Sequence, residues 1–131
     1  SGFIQVSYFL LQLNYCIRCL NTFQLLYRFE LNFKTGPSEN DDIAFHFNAR
    51  MDRKVVMNSF RNRGWEAEES VSDNPFKKGQ PFEMFIVVKS EGYVVYVNGK
   101  ELYTFKHRIP LEKVSMLNIK VLRPVQNLVS N

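Results

Sequence analysis

No run of like charge, no second cysteine pair, no stretch of helical periodicity and no uninterrupted membrane-length apolar segment occurs in this chain. Each absence excludes something. The 17 basic and 13 acidic residues give a net charge of only +4, with Lys34, Arg50, Arg53, Lys54, Arg61, Arg63, Lys77 and Lys78 scattered along the chain. Such scatter reads as solvated surface and not as a nucleic-acid-binding arm. Two cysteines, Cys16 and Cys19, stand as "CIRC". With no matching pair, no nearby histidine and no helix start to activate a thiol, neither a zinc site nor a redox motif is expected. Two free thiols in or beside a strand are expected instead, as in a protein made in a reducing compartment. The oily start, "SGFIQVSYFLLQLNYCIRCL", has no basic leader and no small-residue cleavage site, and Gln, Asn and Arg interrupt it. It is read as neither signal peptide nor membrane anchor. No nucleophile–base pair, paired catalytic carboxylates or metal-ligand cluster is evident, so neither an enzyme nor a cofactor is expected.

What the chain has is aromatic, apolar alternation. Its 131 residues suffice for one domain with a real core, 45% are hydrophobic, and there are twelve Phe and six Tyr. Short strand-like runs follow one another over 27–34, 42–50, 54–60, 65–71, 82–90, 93–105 and 115–122, with a weaker one at 125–129. Asn98-Gly99 within 93–105 is the strongest short signal of a hairpin. "IPLEKV" (109–114) suits one short helical turn. Many evenly spaced strands without helices predict an all-β antiparallel two-sheet sandwich, with Phe45, Phe47, Phe85, Val87, Tyr96 and Phe105 facing its interior.

One strand is unusual. In "AFHFNARM" every second residue is polar, so His46, Asn48 and Arg50 stand in a row on one face while Ile43, Phe45 and Phe47 take the other. Taken alone, the row is the wet face of a half-exposed strand. Asn58 in "VMN" and Trp65 and Glu68 in "WEAEE" follow within some twenty residues. Planar polar side chains beside an aromatic plate suit a sugar, whose hydroxyls both donate and accept and whose C–H face is apolar. Trp65 and Glu68 are three apart, and on an ideal strand they would face opposite ways. The turn after Gly64, or a bulge, must bring them together.

H-x-N-x-R, then V-x-N, then W-x-x-E, in that order, resembles the carbohydrate-recognition domain of the galectins. "NPFKKGQPFEM", "VYVNGK" and "FKHRIP" are similar to further stretches of that family. The likeness is strongest over 27–131 and faint before it, and one domain over 1–131 is expected. It implies a jelly-roll sandwich holding a β-galactoside, of the lactose or N-acetyllactosamine type, in a groove across the concave sheet. His46, Asn48 and Arg50 would read the axial 4-hydroxyl. Asn58 and Glu68 would take the 6-hydroxyl, Glu68 would also orient Arg50, and Trp65 would stack on the ring. The implied partners are glycans on glycoproteins or glycolipids, with a homodimer left open, and neither nucleic acid nor membrane insertion is expected. The implied location is cytoplasmic, with export that needs no signal peptide. The chain departs from the family pattern at Ser70, where an arginine usually braces the glutamate, and at Glu66, where glycine is usual. The short "MDRKVVM" connection departs as well. These point to weakened affinity, or alternatively to a structural or protein-interaction domain that has lost sugar binding.

Overall fold

A computed structural model of the chain describes residues 4–11, 14–21, 28–51 and 53–122. Among the described residues eleven strands follow in order: β1 (Ile4–Leu11), β2 (Asn14–Asn21), β3 (Arg28–Lys34), β4 (Ile43–Arg50), β5 (Val55–Arg61), β6 (Gly64–Trp65), β7 (Glu69–Val71), β8 (Phe82–Val88), β9 (Gly92–Val97), β10 (Lys100–Lys106) and β11 (Met116–Leu122). One sheet runs β1-β2-β8-β9-β10 and the other β11-β3-β4-β5-β6, with β7 also pairing with β5. All pairings are antiparallel. The two-sheet sandwich is as the alternation predicts. The 125–129 segment lies outside the described residues.

The sheets meet through aromatic rings. Phe45 of one sheet stacks on Tyr93 of the other at 4.6 Å and touches Phe105 at 4.9 Å. Phe29 stacks on Phe82 at 5.1 Å. The inward row of β8 is Phe82, Met84, Ile86 and Val88, and that of β9 is Tyr93, Val95 and Val97. Phe85, Val87 and Tyr96 are only partly buried, contrary to expectation. "FEMFIVV" is apolar almost throughout, so its periodicity cannot choose a face. Pairing with β2 chooses it, setting Met84 against Cys19 and Ile86 against Ile17, both core residues.

Cys16 and Cys19 are free and buried in β2. Three residues of strand separate their Cα atoms by roughly 10 Å, beyond the reach of a disulfide. Burial pushes the Cys19 thiol up to about 12. Asn98 and Gly99, both at positive φ (51° and 84°), make the tight turn between β9 and β10, as the Asn-Gly pair predicts. A single 3-10 turn, Leu111–Lys113, falls within 109–114.

The run read as one strand over 65–71 is divided. β6 pairs as Phe60↔Trp65, whereas β7 pairs as Met57↔Glu69. The residue numbers sum to 125 in the first pair and 126 in the second, a register shift of one. Residues 66–68 therefore bulge opposite Asn58 and Ser59. Before the bulge, Asn62 and Arg63 turn the chain back at φ 54° and 62°.

Candidate functional site

The outer face of the β11-β3-β4-β5 sheet carries polar rows that run across strands. Backbone register aligns Asn118, Asn32, His46 and Asn58 in one row, and Glu30, Asn48, Val56 and Ser70 in the next. Above them lies a cleft of about 510 Å³ lined by Arg28, Glu30, His46, Asn48, Arg50, Val56, Asn58, Trp65, Glu66 and Glu68. The six residues singled out in the sequence thus line one groove. Sequence reading did not single out Arg28 and Glu30, although they alternate along β3 with inward Phe29 and Leu31.

The bulge explains how Trp65 and Glu68 share the groove. The extra residue at 66–68 reverses the side-chain parity that a regular strand would impose. The turn after Gly64 alone does not do this, since β6 and β7 both pair with β5. Trp65 is 54% exposed, its ring 4.7 Å from His46 and 5.1 Å from Phe60. An indole so exposed is not a core residue.

His46 is buried. Its Nδ1 lies 2.6 Å from Asn32 Oδ1, while Asn32 Nδ2 donates to Asn118 Oδ1 at 3.3 Å. That chain assigns the proton to Nδ1 and leaves Nε2 to accept. Burial holds the imidazole pKa below its usual value. Glu30, 3.9 Å away, opposes the shift, and the charges of Lys120, Arg28 and Arg50 reinforce it. His46 is therefore neutral at pH 7.

Asn48 Oδ1 and Arg50 Nε are buried and have no hydrogen-bond partner among the described residues. The carbonyl of Arg50 is held by Asn74 Nδ2 at 2.7 Å; the same amide donates to Arg53 O. Asn74 thereby pins the short turn after β4, and the groove stays open beside it.

Glu66 does not project a free charge next to Trp65. Its Oε1 accepts from Ser59 Oγ at 2.6 Å and from Arg61 Nη2 at 3.3 Å. Ser70 is exposed on β7 opposite Val56. Glu68 pairs with Lys54 at 3.5 Å, both side chains about half exposed. The carboxylate is thus paired with a lysine, whereas the sequence comparison with the galectin pattern implied a contact with Arg50.

Arg108, in the "FKHRIP" stretch, is a further residue that sequence reading did not single out. Its guanidinium lies over the Phe105 ring at 4.6 Å and donates to Asn58 Oδ1, Ser59 Oγ, Ala67 O and Glu69 Oε2 at 2.6–3.0 Å. Some fifty residues separate it from Asn58, so only the fold brings them together.

The chain matches the galactoside-binding lectin family over residues 18–127. It belongs to the galectin family. It is 46% identical to bovine (Bos taurus) galectin-4 over 94 residues, which is 70% of the chain but only 28% of that protein. It is 37% identical to human galectin-7 over 93 residues, 70% of the chain and 68% of that protein. Its fold superposes on solved sheep galectin-11, in complex with glycerol, with a TM-score of 0.76 at 30% identity, covering 91% of the chain and 90% of that structure. The galectin fold and the lectin, non-enzymatic character of the domain follow from this membership.

Proposed function

We propose that this galectin domain binds β-galactosides of the lactose or N-acetyllactosamine type in the groove over β4 and β5. One observation carries the reading: buried polar atoms without partners among the described residues, Asn48 Oδ1 and Arg50 Nε, border the same groove as an exposed indole. A buried polar atom left unpaired costs about 1–3 kcal/mol, which a polar ligand would recover. His46 Nε2 accepts from the axial galactose hydroxyl, while Arg50 donates to it and Asn48 supports it from the same row. Asn58 and Glu68 take a second hydroxyl, and Trp65 covers the C–H face. A sugar with that hydroxyl equatorial would leave the row mispaired. Terminal galactose on glycoproteins or glycolipids has this chemistry. Affinity is weakened because Lys54, half exposed, is the cation beside Glu68, and a solvent-exposed pair holds a side chain only loosely.

The test is fluorescence titration with lactose, read by Trp65, the sole tryptophan. Cellobiose, which differs in the orientation of one hydroxyl, is the control. A saturable change with lactose and none with cellobiose is expected. Equal responses would remove the assignment of the row to the axial hydroxyl. No response to lactose would favour the structural or protein-interaction domain.

A further inference from the structure

The hydrogen-bond accounting of Asn58 and the bulge points to a residue outside the groove. Asn58 Oδ1 has two lone pairs, and both are occupied: Arg108 Nη1 donates at 3.0 Å and the Ser59 amide at 2.7 Å. Of its two amide protons, one goes to Glu66 O at 3.1 Å. Asn58 is left with one N–H for a ligand and no acceptor. The same guanidinium holds the bulge through Ala67 O and β7 through Glu69 Oε2, both at 2.6 Å. Glu69 also accepts from Tyr103 Oη, so its carboxylate is fixed from two sides. Only a planar fork reaches four acceptors on two segments at once, and lysine cannot reproduce it.

We infer that Arg108 is a positioning residue for ligand binding, one that clamps β5 to the 66–68 bulge so that Asn58 meets a ligand only as a donor. Glu68, carried by the clamped bulge, is acceptor-only when ionised. The two together read one hydroxyl that accepts from Asn58 and donates to Glu68. An ether or a fluorine at that position could satisfy only the Asn58 half. The inference rests on the proposed galactoside reading for its ligand, and on the geometry alone for the clamp.

Two measurements on the full chain test it. The first needs no sugar: ¹⁵N–¹H spectra of the Asn58 side-chain amide in the unaltered protein and in Arg108→Lys. Two well-separated amide proton signals, the one bonded to Glu66 O exchanging more slowly than the free one, are expected in the unaltered protein, collapsing towards solvent-like positions in the variant. Unchanged signals would overturn the clamp. The second is a lactose titration of Arg108→Lys, Asn58→Ala and the double variant. Arg108→Lys should weaken binding about tenfold alone but by less than about threefold when Asn58 is already alanine, each variant being melted first and titrated well below its own melting temperature so that every protein is fully folded. An equal loss in both backgrounds, or full binding by Arg108→Lys, would overturn the positioning role. If the unaltered chain bound no lactose, the galactoside reading would fail and the amide spectra would still decide the clamp.

Discussion

The 2.6 Å hydrogen bond from His46 Nδ1 to Asn32 Oδ1 fixes which ring nitrogen faces the groove. Because Asn118 receives the Asn32 amide, Asn32 has its oxygen free for His46, and Nε2 becomes the acceptor. Protonation would turn that acceptor into a donor. The folded pKa lies below the ordinary histidine value, so the neutral ring persists down to a lower pH than in the unfolded chain. Lactose affinity should therefore be flat from pH 8 to about 6.5, then fall as His46 protonates. Stability follows the same sign: it is complete above the unfolded value and declines as pH drops towards the lowered folded value, because the unfolded chain takes the proton first. Calorimetric titrations between pH 5 and 8 check the first point and melting curves the second. Affinity that rose in acid would assign the wrong nitrogen.

Trp65 separates a plate from a core residue. At 54% exposure it contributes little burial, and its ring contacts are a tilted one with His46 and an edge one with Phe60. Trp65→Ala should lower stability by about 1 kcal/mol or less. Retention on a lactosyl resin should nevertheless be abolished. A drop of several degrees in melting temperature with binding intact would reverse the assignment.

The legibility of this chain followed the physics of each segment. β4 could be read because polar and apolar residues alternate from Phe45 to Arg50, and the Asn98-Gly99 turn because few pairs tolerate positive φ twice in succession. β8 defeated the same method, since an all-apolar strand offers two equivalent faces until its partner is known. The bulge at 66–68 left no periodic signature; only the ordered motif suggested that Trp65 and Glu68 belonged together. Arg28 and Glu30 were within reach of simple alternation, had β3 been aligned beside β4. Arg108 was not, because a contact across some fifty residues depends on topology and leaves no local trace.

The thiols give a prediction independent of sugar. Burial raises both thiol pKa values, that of Cys19 to about 12, so at pH 8 only about one Cys19 side chain in ten thousand is a thiolate. Iodoacetamide at pH 8 should leave Cys19 unmodified in the native protein for hours and label it readily in denaturant, as mass spectrometry of the digested chain would show. Fast native labelling would mean that β2 opens far more often than a central strand should.

Ser70 and Lys54 set how firmly Glu68 is held. The half-exposed Lys54–Glu68 pair, at 3.5 Å, contributes about 0–1 kcal/mol at most to fixing the carboxylate. An arginine at position 70, on β7 beside the bulge, would add a planar donor two residues from Glu68 on a strand whose backbone is already paired with Val56. Ser70→Arg is expected to gain roughly 1 kcal/mol in lactose binding, about fivefold in Kd. Lys54→Met should weaken the unaltered chain by about twofold, and by less in the Ser70→Arg background, because the stronger brace makes the lysine redundant. Calorimetric titration of the four proteins measures both effects. Additive losses would show that Lys54 and residue 70 act on different parts of the ligand. A Ser70→Arg variant no tighter than the parent would show that Glu68 is already held well enough, so that the limit on affinity lies elsewhere in the groove.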